Sequence, residues 1–139
     1  MSNQRSVDFA TVIRPATPNT FLLAPEGLCK QAKVDRIAPV YPVAAAKLRQ
    51  ELLGIVIAQP RVSHTFADEA GLYDDFVARS WFFRFPDLVA IKFLDLKGKT
   101  STLAIYSRSV YGRSDLGVNR ARTLSWLTLV NDVIKPQSP

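Results

Sequence analysis

The chain of 139 residues has the length of one typical domain, and its 47% apolar and 22% charged residues argue against a disordered protein. A single cysteine, Cys29, excludes an intrachain disulfide and fits a reducing compartment. The N-terminus lacks the apolar core of a signal peptide, and no apolar run approaches the roughly 18 residues that span a bilayer, so we expect a cytoplasmic location.

The net charge of +6 is concentrated in one part of the chain. Nine basic and three acidic residues lie from Arg79 to Arg122, which gives +6, and the other residues balance nine against nine. A field of one sign attracts partners of the opposite charge, here a small anionic ligand or an anionic membrane surface. The alternative is a solvated basic face that keeps the protein soluble.

Residues 1–40 are predicted to form an extended arm. Four prolines interrupt them, and each proline removes a backbone donor and fixes φ, which argues against a helix. Val12, Ile13 and Phe21 are apolar, so we expect the arm to pack on a single α+β domain that spans residues 41–139.

The domain is predicted to contain a helix, a four-stranded antiparallel meander and a C-terminal helix packed on the sheet. Ala45, Leu48 and Leu52 fall at helical spacing, and short connections between strands favour antiparallel neighbours. The expected helices are residues 42–56 and 116–134, the expected strands are residues 61–66, 76–85, 88–96 and 101–109, and Pro86 and Asp87 form the expected tight turn.

Residues 106–120 carry the most distinctive chemistry. An apolar strand ends there in hydroxyls and guanidinium groups and continues through glycines into the last helix. Arginine presents a planar fork that suits phosphate or carboxylate, and a helix N-terminus adds unpaired N–H groups. The sequence therefore predicts an oxyanion pocket lined by Arg84, Tyr106, Ser107, Arg108, Ser109, Tyr111, Arg113, Asn119 and Arg120.

The strand register predicted from the tight turn adds a constraint. Arg84 and Arg108 are expected at one end of the sheet and on one face, whereas Arg79 is expected about 16 Å away along its strand. A purely structural interpretation stays open beside the ligand site. In it, Asp115 caps the last helix and braces nearby arginines, and Gly112 and Gly117 supply backbone freedom.

Several other chemistries find little support. His64 alternates with Val62 and Phe66, which favours a half-buried histidine over a catalytic one. With one histidine and one cysteine we expect no metal site, and without a Walker or dinucleotide motif we expect no cofactor. The aromatic residues 81–85 favour core packing over a stacking platform for nucleic acid.

The chain resembles the domain of unknown function 1499 family, a bacterial and plant group without an assigned activity. The resemblance covers about residues 9–127 and implies neither a reaction nor catalytic residues. It rests on Arg14-Pro15-x-Thr17-Pro18-Asn19, Asp35-x-x-Ala38-Pro39, Arg79-Ser80, Phe85-Pro86-Asp87, Tyr106-Ser107-Arg108-Ser109 and Gly112-Arg113-Ser114-Asp115-Leu116-Gly117-Val118-Asn119-Arg120.

Three functions remain open, and double-stranded DNA binding is a weaker fourth. The leading one is a non-enzymatic binding module for a small anionic or phosphorylated ligand or an anionic headgroup. The second is a structural or interaction protein in which the same cluster is an internal brace. The third is an uncharacterised hydrolase or transferase that uses Tyr106, Tyr111 or a serine, and it ranks last because no general base is visible beside those hydroxyls.

Overall fold

The computed structural model describes residues 6–79, 85–110, 112 and 117–138. In this part of the chain, strands and helices form an α+β fold, as predicted. In chain order they are β1 (Thr20–Ala24), β2 (Arg36–Ile37), α1 (Ala45–Ile57), β3 (Val62–Asp68), β4 (Tyr73–Arg79), β5 (Pro86–Leu96), β6 (Thr100–Ser109) and α2 (Val118–Val133).

The strands form one mixed sheet of six strands in the order β2-β1-β6-β5-β4-β3. Strands β3 to β6 make the expected antiparallel meander, but the prediction of a four-stranded sheet is wrong. The two additional strands come from the arm: β1 pairs antiparallel with β6 and parallel with β2. Strand β1 escaped prediction because it is buried on both faces, so its residues 21–24 are continuously apolar and do not alternate.

The sheet is covered on both faces along β1, β4, β5 and β6, whereas the edge strand β3 is mostly exposed. On one face, α1 and α2 bury Leu48, Leu52 and Trp126 against sheet residues such as Phe76 and Ile105. We call this the helix side.

The opposite face, the arm side, is covered by residues of the arm, including Phe9. Sheet residues that pack there include Leu22, Tyr73 and Tyr106. Because strand side chains alternate between faces, each residue of β6 belongs to one side or the other.

The tight turn predicted at Pro86 and Asp87 is also wrong. Both residues lie in β5, where Pro86 pairs with Arg79 and Asp87 pairs with Ala78. Proline is tolerated at the first residue of a strand, which is the position that Pro86 occupies. The β4–β5 connection therefore includes residues 80–84, which lie outside the described residues.

This register changes where Arg79 lies along the sheet relative to Arg108. Leu88 pairs with Arg108, and Pro86 pairs with Arg79, so the two arginines are two residues apart along the strand direction. The offset is about 7 Å, and the expected 16 Å is wrong.

Candidate functional site

A buried polar network fills the helix side at the end of β6. Ser107 Oγ donates to Asn119 Oδ1 (2.6 Å), and Asn119 Nδ2 donates to Ser109 Oγ (2.9 Å). The same Nδ2 donates to the backbone carbonyl of Asn19 (3.0 Å). The first turn of α2 is thereby joined to both β6 and the arm.

Arg122 is the cation of this network. Its Nη1 donates to Ser107 Oγ (3.2 Å) and Asn119 Oδ1 (3.0 Å), and its Nη2 pairs with Asp87 Oδ2 (2.9 Å). The side chains of Arg122 and Asp87 are 11% and 8% exposed, so this ion pair is largely shielded from water. The Arg122 network comprises Asn19, Asp87, Ser107, Ser109, Asn119 and Arg122.

The network thus unites three of the predicted site residues, Ser107, Ser109 and Asn119, with three that were not predicted to belong to the site. Asn19, Asp87 and Arg122 come from the arm, β5 and α2, and no local pattern connects them. Only the tertiary structure brings these residues together. Asp87, for example, pairs with Ser109 across the β5–β6 ladder.

A cavity of about 430 Å³ opens beside Arg122, between α2 and the neighbouring ends of β3 and β4. Three arginines contribute to its lining, and no carboxylate does so among the described residues. The described residues that line this arginine cavity are Gln59, Pro60, Arg61, Val62, Ala78, Arg79, Val118, Arg122, Ser125 and Trp126.

Arg61 is the most available cation of the cavity. The residue is exposed, and its side chain makes no hydrogen bond or ion pair with any described residue. Its backbone has a φ of 60°, in the left-handed region, and its carbonyl accepts a hydrogen bond from Arg79 N (3.0 Å). The guanidinium therefore keeps its five donors for water or a ligand.

Arg108 lies on the arm side, separated from Ser107 and Ser109 by the sheet. Its Cζ is 5.0 Å from the ring centroid of Tyr106, and its Nη1 donates to the Tyr106 carbonyl (3.4 Å). None of the described carboxylates lies within 4.0 Å of it. The predicted residues are thus divided between two faces, and alternation along β6 is the reason.

The surroundings of Arg108 shift several pKa values. Burial lowers the pKa of the Arg108 guanidinium, and burial raises the pKa of the nearby Tyr106 and Tyr73 phenols. Burial also raises the pKa of the Asp75 carboxyl, although the Tyr73 hydroxyl donates to Asp75 Oδ1 (2.6 Å). Each shift disfavours the charged form, as expected where water is excluded.

The remaining predicted residues have other positions. Arg120 is exposed and lies over the Phe21 ring, with Cζ 5.4 Å from the centroid. Gly117, and not the predicted Asp115, occupies the N-cap of α2, and its φ is 80°. Gly112 has a φ of 82°, and its carbonyl accepts a hydrogen bond from Asn19 Nδ2 (2.8 Å). Arg84, Tyr111, Arg113 and Asp115 lie outside the described residues.

His64 belongs to a separate ion-pair cluster on the helix side of β3 and β4. Its Nε2 lies 2.9 Å from Asp74 Oδ1, and Arg49 contacts both oxygens of this fully buried carboxylate (2.8 and 2.9 Å). The His64 ring also stacks on the Phe76 ring, with 4.7 Å between the ring centroids. In the described part of the chain, no group of three or more His, Cys, Asp or Glu residues is placed to hold a metal ion.

A family model described as a protein of unknown function, DUF1499, matches residues 12–130. The chain belongs to this family. The DUF1499 match covers all six strands, the Arg122 network and every described residue of the arginine cavity. No curated protein matches the chain. Neither helix in the described ranges has the length and apolar character needed to cross a membrane.

Proposed function

We propose that this DUF1499 protein binds a small anionic ligand in the arginine cavity. The supporting observation is the exposed Arg61 beside the anchored guanidinium of Arg122, in a cavity whose described lining residues include no carboxylate. Guanidinium forks suit phosphate and carboxylate groups, and charge-assisted hydrogen bonds are stronger than neutral ones. The volume of about 430 Å³ falls in the range of small-molecule sites.

The Arg122 network supports this proposal through preorganisation. Asp87, Ser107 and Asn119 fix the guanidinium of Arg122 before any ligand arrives. A donor that is already ordered loses little conformational entropy on binding. The internal brace considered from the sequence and the binding site are therefore complementary, since the brace positions one wall of the cavity.

Binding is favoured over catalysis by the described lining. Ser125 supplies a hydroxyl, but no histidine or carboxylate accompanies it there as a general base. The ligand was expected near Arg108, Arg113 and Arg120. We move the proposal to Arg61 and Arg122 because a cavity is present at these residues.

The proposal is tested by thermal unfolding of the full chain with inorganic phosphate, phenyl phosphate, acetate or benzoate at constant ionic strength. A ligand that binds the folded state raises Tm by mass action, so at least one of these anions should raise it. Arg61→Gln should abolish the rise, because it removes the charge and the planar fork of the most available arginine.

Arg36→Gln is the matched control. Arg36 is exposed in β2, at the opposite edge of the sheet from β3 and outside the cavity lining. This variant should keep the full anion-dependent rise in Tm. The proposal fails if none of the four anions raises Tm, or if Arg61→Gln responds as the unaltered chain does.

A further inference from the structure

We infer that the ligand of the arginine cavity is an organic anion, in which an apolar body is attached to the charged group, and not a free inorganic oxyanion. This inference rests on the proposed anion binding and specifies its ligand class. It comes from the size of the cavity and from the distribution of carbon and charge over its lining.

The cavity is too large for an inorganic oxyanion alone. Its volume of about 430 Å³ corresponds to about 14 water molecules at the roughly 30 Å³ that each occupies in the liquid. The contributing face of α2 runs from Val118 to Trp126, which is about 12 Å along the helix axis at 1.5 Å per residue. An oxyanion within hydrogen-bonding distance of Arg122 fills a fraction of that length.

Apolar side chains make up half of the described lining. Val118, Arg122 and Trp126 follow at i, i+4 and i+8 on one face of α2, so carbon surface lies on both sides of the guanidinium. Across from them, the sheet and the preceding loop contribute Pro60, Val62 and Ala78. A ligand that covered this surface would gain affinity from apolar burial, which an inorganic anion cannot do.

The carbon walls are also preformed. Trp126 is 3% exposed, and its ring packs edge-on against the Phe76 ring with 6.4 Å between the ring centroids. This packing holds the Trp126 ring in place. Val118 is 38% exposed at the first position of α2, so its methyl groups can be reached from solvent. Val118 therefore offers accessible carbon surface, and Trp126 is an ordered part of the lining.

Matched ligand pairs test the inference by calorimetric titration of the full chain. Phenyl phosphate is compared with methyl phosphate, and benzoate with acetate. Within the pair of whichever anion class binds, we expect the aromatic member to bind at least tenfold more tightly, which corresponds to about 1.4 kcal/mol.

A cavity variant provides a second readout. Val118→Ser should weaken the binding of phenyl phosphate or benzoate about threefold or more, and it should leave the affinity for methyl phosphate or acetate unchanged. Val133→Ser is the control, because Val133 is 57% exposed on the same helix and outside the lining. It should bind all four ligands as the unaltered chain does.

The outcomes separate the inference from the proposed function. Equal affinity within each pair overturns the inference of an organic ligand and leaves the proposed anion binding intact. A Val118→Ser variant that keeps full affinity for the aromatic member has the same meaning. Failure of all four ligands to bind overturns both.

Discussion

Arg61 holds a backbone conformation that L-residues rarely adopt. Its φ of 60° lies in the left-handed region, where the β-carbon crowds the carbonyl oxygen and costs about 1–2 kcal/mol. Lys99, in the turn between β5 and β6, has nearly the same φ of 59° and lies outside the arginine cavity. Glycine would relieve the strain at both positions, so the two residues form a matched pair.

We predict that Arg61→Gly and Lys99→Gly each raise the free energy of unfolding by about 0.5–1 kcal/mol, after the entropic cost of glycine is subtracted. Only Arg61→Gly should also lose the anion-dependent rise in Tm. Urea denaturation measures the first effect, and thermal unfolding with the anion panel measures the second. An Arg61→Gly variant that still responds to the bound anion would contradict a ligand role for this strained side chain.

At the scale of elements, α2 is held against the sheet by an ion pair and hydrogen bonds as well as by apolar packing. Arg122 of α2 and Asp87 of β5 form a shielded pair, and Asn119 links the same helix to β6. Removing one member of a buried ion pair leaves the other charge in a low-dielectric site, which typically costs about 3–5 kcal/mol.

We therefore expect Asp87→Ala to lower the free energy of unfolding by about 3 kcal/mol or more. The comparison is Lys47→Ala, which breaks the exposed pair of Lys47 with Glu51 on α1 and should cost less than about 0.5 kcal/mol. Chemical denaturation of both variants gives the difference directly. A loss below about 1 kcal/mol for Asp87→Ala would show that the Arg122 network is not a brace.

The elements that could be located from the sequence are those in which apolar residues recur at a regular spacing. Ala45, Leu48, Leu52 and Val56 recur at helical spacing, and all four are fully buried in α1. Strand β1 has no such period, because both of its faces are covered, and the prolines around it pointed to an irregular arm.

The candidate site was predictable only in part for a related reason. Composition pointed to Ser107, Ser109 and Asn119, which do meet on the helix side. Alternation along β6 places Arg108 on the opposite face from Ser107 and Ser109, so this part of the arrangement is encoded in the local sequence. The contributions of Arg61 and Arg122 depend on how β3, β4 and α2 come together, and no local pattern encodes that.

At the scale of the whole molecule, the arm side should make stability depend on pH. Burial raises the pKa of Asp75 in the folded protein. At a pH between the ordinary and the raised pKa, the folded protein therefore holds a proton that the unfolded chain has released. From the ordinary aspartate range near pH 4 up through the raised pKa, the folded state binds more protons than the unfolded state, and the free energy of unfolding falls as pH rises.

We expect Asp75→Asn to remove this decline, because an amide cannot ionise but can still accept the Tyr73 hydroxyl. Urea denaturation from about pH 4 upward measures the effect in both proteins. Asp132→Asn, a change at an exposed position of α2, should follow the unaltered chain. Parallel stability curves for the Asp75→Asn variant and the unaltered chain would contradict the prediction.

The place of β1 between β2 and β6 has a consequence for biosynthesis. Leu22 pairs with Tyr106, which is 84 positions later in the chain (106 − 22). On the ribosome, residues 21–24 emerge before β6 and stay without their antiparallel neighbour until β6 has left the exit tunnel. The nascent chain thus carries an apolar segment that needs shelter while the residues between β1 and β6 are made, and the sheet closes only after β6 has emerged.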